Sequence, residues 1–186
     1  MKKLLYILLL APLLVFVSSC EEESNNVEPL YEIGDVTEGG IVFYIDETGE
    51  HGLVAASEDL EGTYKWGCYQ QNISGADGAA IGAGSQNTLD IIAGCNETNT
   101  AAFASSNATI EGHTDWYLPS KDELFKMYSS IGQGSETENK GGFSGSWYWS
   151  SSESYDLSAW GVGFDNGDTE NAYKHSALRV RVIRAF

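Results

Sequence analysis

An α+β fold is what the sequence predicts, and three observations predict it. Runs rich in β-branched and aromatic residues lie near both ends, helix-type patterns are confined to the middle, and no internal repeat appears. With 5 Trp, 10 Tyr and 7 Phe in 186 residues, the chain can bury a real core. That composition fits neither an intrinsically disordered chain nor a disulfide-dense miniprotein. One domain with an N-terminal appendage is expected.

The appendage comes first. Lys2 and Lys3 precede an apolar stretch over residues 4–17, shorter than the ~20 residues of a spanning helix and shaped like a secretory h-region. It ends in Val17-Ser18-Ser19-Cys20, which resembles a bacterial lipobox. The resemblance implies removal of residues 1–19 and lipidation of Cys20, an anchor that ties the protein to a membrane. Glu21, Glu22 and Glu23 follow, and they resemble the acidic run that directs lipoproteins of the Bacteroidota to the outer face of the outer membrane. The other reading of this run is a solvated tether. Residues 20–30 have almost no apolar anchors and read as flexible and acidic. The folded domain is expected over residues 31–186.

Secretion places Cys68 and Cys95 in an oxidising compartment, where an even remainder of cysteines pairs, so a Cys68–Cys95 disulfide is expected. Neither has a second Cys or His at the spacing of a metal site.

Within the domain, Ile41-Val42-Phe43-Tyr44-Ile45, a polar turn, and Gly52-Leu53-Val54-Ala55-Ala56 form a hairpin signature. Residues 74–85 are nearly all Gly, Ala, Ser and Asp and read as a loop. Residues 86–93 then read as a helix with Leu89, Ile92 and Ala93 on its buried face and Gly94 as its stop. Residues 100–106 read as an Ala-rich helix bringing Phe103 inward. The best-marked helix starts at Ser120, with Glu123 three residues on in a capping box, continues through Leu124, Met127, Tyr128 and Ile131, and ends at Gly132. Strands follow: Trp147-Tyr148-Trp149-Ser150-Ser151, then residues 159–164, an Asn166-Gly167 turn of type I′, and Ala172-Tyr173-Lys174. In Leu178-Arg179-Val180-Arg181-Val182, alternation places Leu and Val on one face and Arg on the other.

No strong catalytic motif is present. Gly142-Phe143-Ser144-Gly145-Ser146 lacks the last glycine of a nucleophile elbow. Gly82-Ala83-Gly84 lacks the strand and helix context of a dinucleotide site. His51, His113 and His175 form no local metal pair, and His113-Thr114-Asp115 reads as a loop. Asp165-Asn166-Gly167-Asp168 offers hard oxygen ligands, so calcium is a secondary reading beside a simple turn, and no other cofactor is indicated.

Aromatic density is more informative. Trp147, Tyr148, Trp149, Tyr155 and Trp160 lie close together, and alternation cannot bury all of them on one face. Exposed rings beside Asp165, Asn166 and Asp168 would make a sugar platform, the ring stacking on C–H faces while the polar groups bond hydroxyls. These eight residues are the candidate ligand-binding set, and core packing is the competing role of each ring.

Several segments taken together resemble a known family: Gly40-Ile41-Val42-Phe43-Tyr44, His51-Gly52-Leu53-Val54-Ala55-Ala56, residues 81–88, Asp115-Trp116-Tyr117-Leu118-Pro119-Ser120 with Glu123-Leu124, Tyr148-Trp149-Ser150-Ser151 and residues 179–184. This is the Lcl C-terminal domain family, named after the C-terminal domain of a bacterial collagen-like adhesin and similar to the Fibrobacter major paralogous domain. The resemblance implies a C-type-lectin-like α+β fold, with N- and C-terminal strands in an antiparallel sheet and short helices between. It also implies adhesion and ligand binding at a cell surface, and no catalytic residue.

Charge narrows the partners. The chain carries a formal −17, and residues 31–186 hold 8 cations against 23 acids, or −15. Nucleic acid is excluded, since each phosphate needs a cation, and the sulfated glycans bound by the family's namesake are disfavoured for the same reason. The expected function is therefore a surface lipoprotein binding a neutral glycan or an envelope or host protein. A structural module of the envelope is the alternative, and a carboxylate-based hydrolase the third reading.

Overall fold

The computed structural model describes residues 30–136 and 138–186. The leader, the lipidation site Cys20 and the tether up to residue 29 lie outside them. Two antiparallel sheets and three short helices form an α+β fold. The first sheet contains β1 (Val36–Thr37), β2 (Gly40–Ile45), β3 (Gly52–Ala55) and β7 (Ile183–Ala185) in the order β1-β2-β3-β7, so the two ends of the domain share a sheet. The second is a meander of β4 (Trp147–Tyr155), β5 (Ser158–Gly163) and β6 (Thr169–Tyr173). Helices α1 (Gly84–Gly94), α2 (Ala101–Ser106) and α3 (Lys121–Ile131) come between. None of the described helices is long and apolar enough to cross a membrane.

The predicted first hairpin forms as β2 and β3, with β3 buried and β2 buried as far as Phe43. Helix α3 packs on β2, β4 and β5 and so fills the space between the sheets. Its Leu124, Met127 and Ile131 are fully buried with Phe43, Tyr148, Val162 and Phe164. A second cluster on the other side holds Val54, Trp66, Ile91, Trp116, Trp149, Val180 and Val182.

The capping box at Ser120 is present as predicted. Ser120 Oγ accepts from Glu123 N at 3.3 Å, and Ser120 N donates to Glu123 Oε2 at 2.6 Å. The same residues hold the loop before α1, since Ser120 Oγ donates to the Ala80 carbonyl at 2.9 Å and Gly82 N donates to Glu123 Oε1 at 2.8 Å. Burial lifts the Glu123 carboxyl above the ordinary carboxylate range despite these donors. Gly84 has to be glycine here, because a Cβ would come 2.3 Å from Glu123 Oε2 and 2.8 Å from Ser120 N. The small-residue loop is therefore an ordered gasket. Replacing Ser120 by Ala, which removes both hydroxyl bonds, is expected to cost about 1–2 kcal/mol in urea unfolding.

Several expectations are corrected. Helix α1 buries Asn87, Thr88 and Ile91, whereas Leu89 is 57% exposed, Ala93 is exposed and Ile92 is half-buried. The reason is polar matching. Asn87 Nδ2 donates to Gly78 O at 2.6 Å and to Ser151 Oγ at 3.2 Å, while Thr88 Oγ1 accepts from Leu118 N at 3.1 Å. In α2, Ala101 and Ala102 point inward and Phe103 is only half-buried.

The ladder strand at the C-terminus is Ile183–Ala185, beyond the predicted run. Residues 178–182 instead thread between the sheets. Ala56 N, Leu60 N and Tyr64 N bond the carbonyls of Val182, Val180 and Leu178, and Trp149 N bonds that of Arg179. Their alternation holds, but the Arg face is divided, Arg179 reaching solvent and Arg181 not. Arg181 is buried, donates to Asp59 Oδ1 at 2.8 Å and to the carbonyls of Ala56 and Gly141, and lies 4.1 Å from the Phe143 ring centroid.

The β5–β6 connection is also wider than a type I′ turn, which needs two left-handed residues. Only Gly167 is left-handed there, at φ 80°. Phe164 turns into the core, so the loop spans four residues, closed by Gly163 N to Asp168 O at 2.9 Å and Gly167 N to Gly163 O at 2.8 Å.

Candidate functional site

Three tryptophans are structural. Trp66, Trp116 and Trp149 are buried, and their indole N–H groups donate to the carbonyls of Ser150, His113 and Tyr64. Tyr148 is buried as well, donating to Asp59 Oδ2 at 2.9 Å. Tyr148 and Trp149 therefore leave the candidate ligand-binding set, because β4 is covered on both faces. Trp147 and Trp160 are half-buried, and Tyr155 is 67% exposed at the end of β4.

Sheet register then sorts the remaining rings. Trp147 pairs with Gly163, Trp149 with Gly161, and Gly161 with Glu170, which places Trp147, Gly161, Gly163 and Glu170 on one face. Trp160 pairs with Asn171 on the opposite face, where the Lys121 ammonium lies 5.1 Å from its ring centroid.

The glycines of β5 that face Trp147 let its ring lie close against the strand. A Cβ on Gly161 would touch Leu178 Cδ1 at 3.4 Å and Trp147 Cε3 at 3.6 Å. A Cβ on Gly163 would meet Asp165 Oδ1 at 3.0 Å, Asn166 Oδ1 at 3.2 Å and Trp147 Cε2 at 3.3 Å. Three residues of the sequence-derived set thus converge over one glycine: an indole edge, a carboxylate oxygen and an amide oxygen. Beside them lies a shallow pocket of about 200 Å³ lined by Trp147, Glu170, Asn171, Ala172, Ser176 and Leu178. Asp168 is tied within the turn, accepting from Asn166 Nδ2 at 2.6 Å while its own N–H donates to Asn166 Oδ1 at 3.0 Å.

Glu170, Asn171 and Ser176 were missed from the sequence. The alternate glycines of Trp160-Gly161-Val162-Gly163, opposite an aromatic strand, were the signal that could have located them.

Two other cavities differ in character. A cleft of about 430 Å³ between residues 56–61 and Ile110-Glu111 is rimmed by Glu58, Glu61 and Glu111. Its Asp59 is already paired with Arg179 and Arg181. A pocket of about 210 Å³ borders Cys95, Glu97 and Phe103. Cys68 and Cys95 are bonded to each other, with Cα atoms 5.7 Å apart, as expected. Among the described residues, those two sulfurs and the Glu97 carboxylate are the one group of three such side chains close enough to share a metal ion. In the disulfide form the sulfurs are not thiolates, and Glu97 accepts from Cys68 N at 2.9 Å and pairs with Lys65. The Asp115 carboxylate is held by Arg184 Nε at 2.8 Å, which pulls its pKa down, and so is not an orienting partner reserved for His113.

Two small antiparallel sheets, three short helices, a disulfide and a shallow pocket beside a half-buried indole make up this α+β domain, and no catalytic constellation is assembled among the described residues. The chain belongs to the Lcl C-terminal domain family, which matches it over residues 56–184. Among solved structures, a fimbrial protein from Bacteroides ovatus ATCC 8483 is similar in fold, with a TM-score of 0.51 at 14% identity. The alignment covers 82% of this chain and 45% of that one, so this chain spans less than half of that protein's length. No curated protein matches.

Proposed function

We propose that the protein is a surface-anchored lipoprotein whose lectin-like domain serves adhesion, holding one residue of a neutral glycan against Trp147. The observation that carries this reading is the convergence of the Trp147 indole with Asp165 Oδ1 and Asn166 Oδ1 over Gly163. A ring supplies the stacking surface for C–H faces, and carboxylate and amide oxygens accept hydroxyl protons. The −15 on residues 31–186 selects for an uncharged polymer and against sulfated ones. Family membership and the fold shared with a fimbrial protein support a surface adhesion or assembly module. The Bacteroidota-type acidic run after Cys20 supports placement on the outer face of the outer membrane.

Glycan-array screening tests the proposal. Binding to neutral glycans is expected, with Trp147→Ala weakening it at least about tenfold and Trp149→Ala acting only through stability. Retention of full affinity by Trp147→Ala would remove the site, and a response confined to sulfated glycans would reverse the electrostatic reading. A second reading, an assembly module of the envelope, draws on the burial of Tyr148 and Trp149, which takes two rings out of any ligand surface. Capture of an envelope protein by cross-linking, unaffected by Trp147→Ala, would favour it.

A further inference from the structure

The opposite face of the same meander carries a second aromatic surface. Tyr155 pairs in register with Ser158, and Ser158 with Tyr173, so a small hydroxyl lies between two tyrosines across three strands. Adjacent strands are about 4.8 Å apart, which sets the two tyrosine backbones about 10 Å apart, the width of a saddle that seats one sugar ring. Tyr173 is 58% exposed and Tyr69 38% exposed. The Tyr173 ring stacks on His175 with centroids 5.5 Å apart at 6°, and Tyr69 meets both edge-on, at 6.3 Å from Tyr173 and 4.6 Å from His175. Alternation places Tyr173 and Ser158 on the face away from Trp147 and Gly161, so this surface is separate from the pocket described above.

Tyr69 is held in place by unusual means. Its neighbours Cys68 and Gln70 are both left-handed, at φ 47° and 69°, which is costly for residues with a Cβ and persists only where the surroundings over-determine it. The surroundings do so here. Cys68 is bonded to Cys95, Gln70 N donates to Asp156 O at 3.0 Å, and the buried Lys174 ammonium donates to Gln71 O at 2.6 Å. Asp156 follows Tyr155 and Lys174 follows Tyr173, so the supports of the Tyr69 loop are the backbone neighbours of the other two rings. Three aromatic side chains that reach solvent, Tyr69, Tyr173 and His175, thus pack against one another before any ligand arrives, which lowers the ordering cost of binding, and Tyr155 stands exposed across Ser158 from them.

We propose that the Tyr69, Tyr155, Ser158, Tyr173 and His175 surface is a second saccharide-binding site, specific for a neutral glycan chain. Ring faces and edges meet the C–H faces of a pyranose, and the phenol and serine hydroxyls and the His175 ring bond its hydroxyls. None of the five side chains is a carboxylate, and the exposed Asp156 beside Tyr155 is the acid whose pull on a basic peptide the octalysine titration below measures. The −15 of residues 31–186 repels a polyanion.

The test uses the full chain carrying Trp147→Ala, so that loss of the first pocket does not mask the second. Cellohexaose, maltohexaose, laminarihexaose and octalysine are titrated calorimetrically, with a thermal melt of each variant as the folding control. At least one hexasaccharide is expected to bind. Adding Tyr173→Ala or Tyr69→Ala should weaken it about tenfold, Tyr173→Phe should leave it within a few-fold, and Ser158→Trp, which fills the saddle, should abolish it. If no hexasaccharide binds in the Trp147→Ala background, if binding is indifferent to Tyr69, Tyr173 and Ser158, or if octalysine alone binds, the proposal is overturned. The Trp147 pocket stands or falls separately on the unmutated chain.

Discussion

Lys174→Met is expected to lower stability by about 3–5 kcal/mol, enough to unfold a marginal domain of this size. Lys174 is fully buried, donates to Glu153 Oε1 and to Gln71 O, and holds its ammonium 4.5 Å from the Trp66 ring centroid. Glu153 is 6% exposed and accepts from Ile73 N with both oxygens at 3.0 Å. Deleting the amine leaves a carboxylate that has lost its countercharge where water cannot replace it, and that uncompensated charge is the source of the cost. Removing both charges is the internal control. Lys174→Met with Glu153→Gln is expected to recover at least half of the loss, because the Gln oxygen still accepts from Ile73 N. Urea unfolding of the two variants at neutral pH measures this. A single-variant loss below about 1 kcal/mol would mean that water reaches the pair.

Removing the disulfide is expected to cost about 3–4 kcal/mol, since Cys68 and Cys95 are 27 positions apart and the bond constrains a loop of that length in the unfolded chain. The comparison is Cys68→Ala with Cys95→Ala against the oxidised protein, and the oxidised protein against itself with reductant. Both should shift the urea midpoint to lower concentration by the same amount. Two free thiols in a non-reducing mass measurement would remove the premise. The effect should also be local in the folded state. The left-handed Cys68 and Gln70 lose their strongest restraint when the bond opens, so amide exchange should accelerate over residues 67–72 before it does in α3.

What could be read from the sequence was chemistry between near neighbours. The capping box of Ser120 and Glu123, the glycine after Ile131, the hairpin of β2 and β3 and the pairing of the two domain cysteines depend on residues close in sequence or on compartment, and all are present. Features set by distant partners were not legible. Helix α1 turns its polar face inward because Ser151, 64 positions away, offers a hydroxyl to Asn87. Arg181 is buried because Asp59 and two carbonyls await it. Of the five aromatics between Trp147 and Trp160, the alternation rule separated Tyr148 from Trp147 and Trp149 but could not tell that β4 is covered on both sides. For that reason two of the eight candidate residues, Tyr148 and Trp149, were mistaken for surface. Asp165 and Asn166 were named for calcium or sugar, yet their closeness to Trp147 depended on Gly163, a residue of no apparent interest in one dimension.

The adjacency of the domain's two ends in one sheet determines how it can be mounted. Tyr31 and Phe186 touch, their rings 4.6 Å apart, and Phe186 also exchanges backbone hydrogen bonds with Gly52. Any polypeptide that precedes residue 31 or follows residue 186 therefore attaches at the same pole. Tension applied through both ends would pull on that pole alone and leave the meander slack. A domain suspended in this way behaves as a pendant: it hangs from a single mounting point in the first sheet, and the meander, which forms the other sheet, carries none of that attachment.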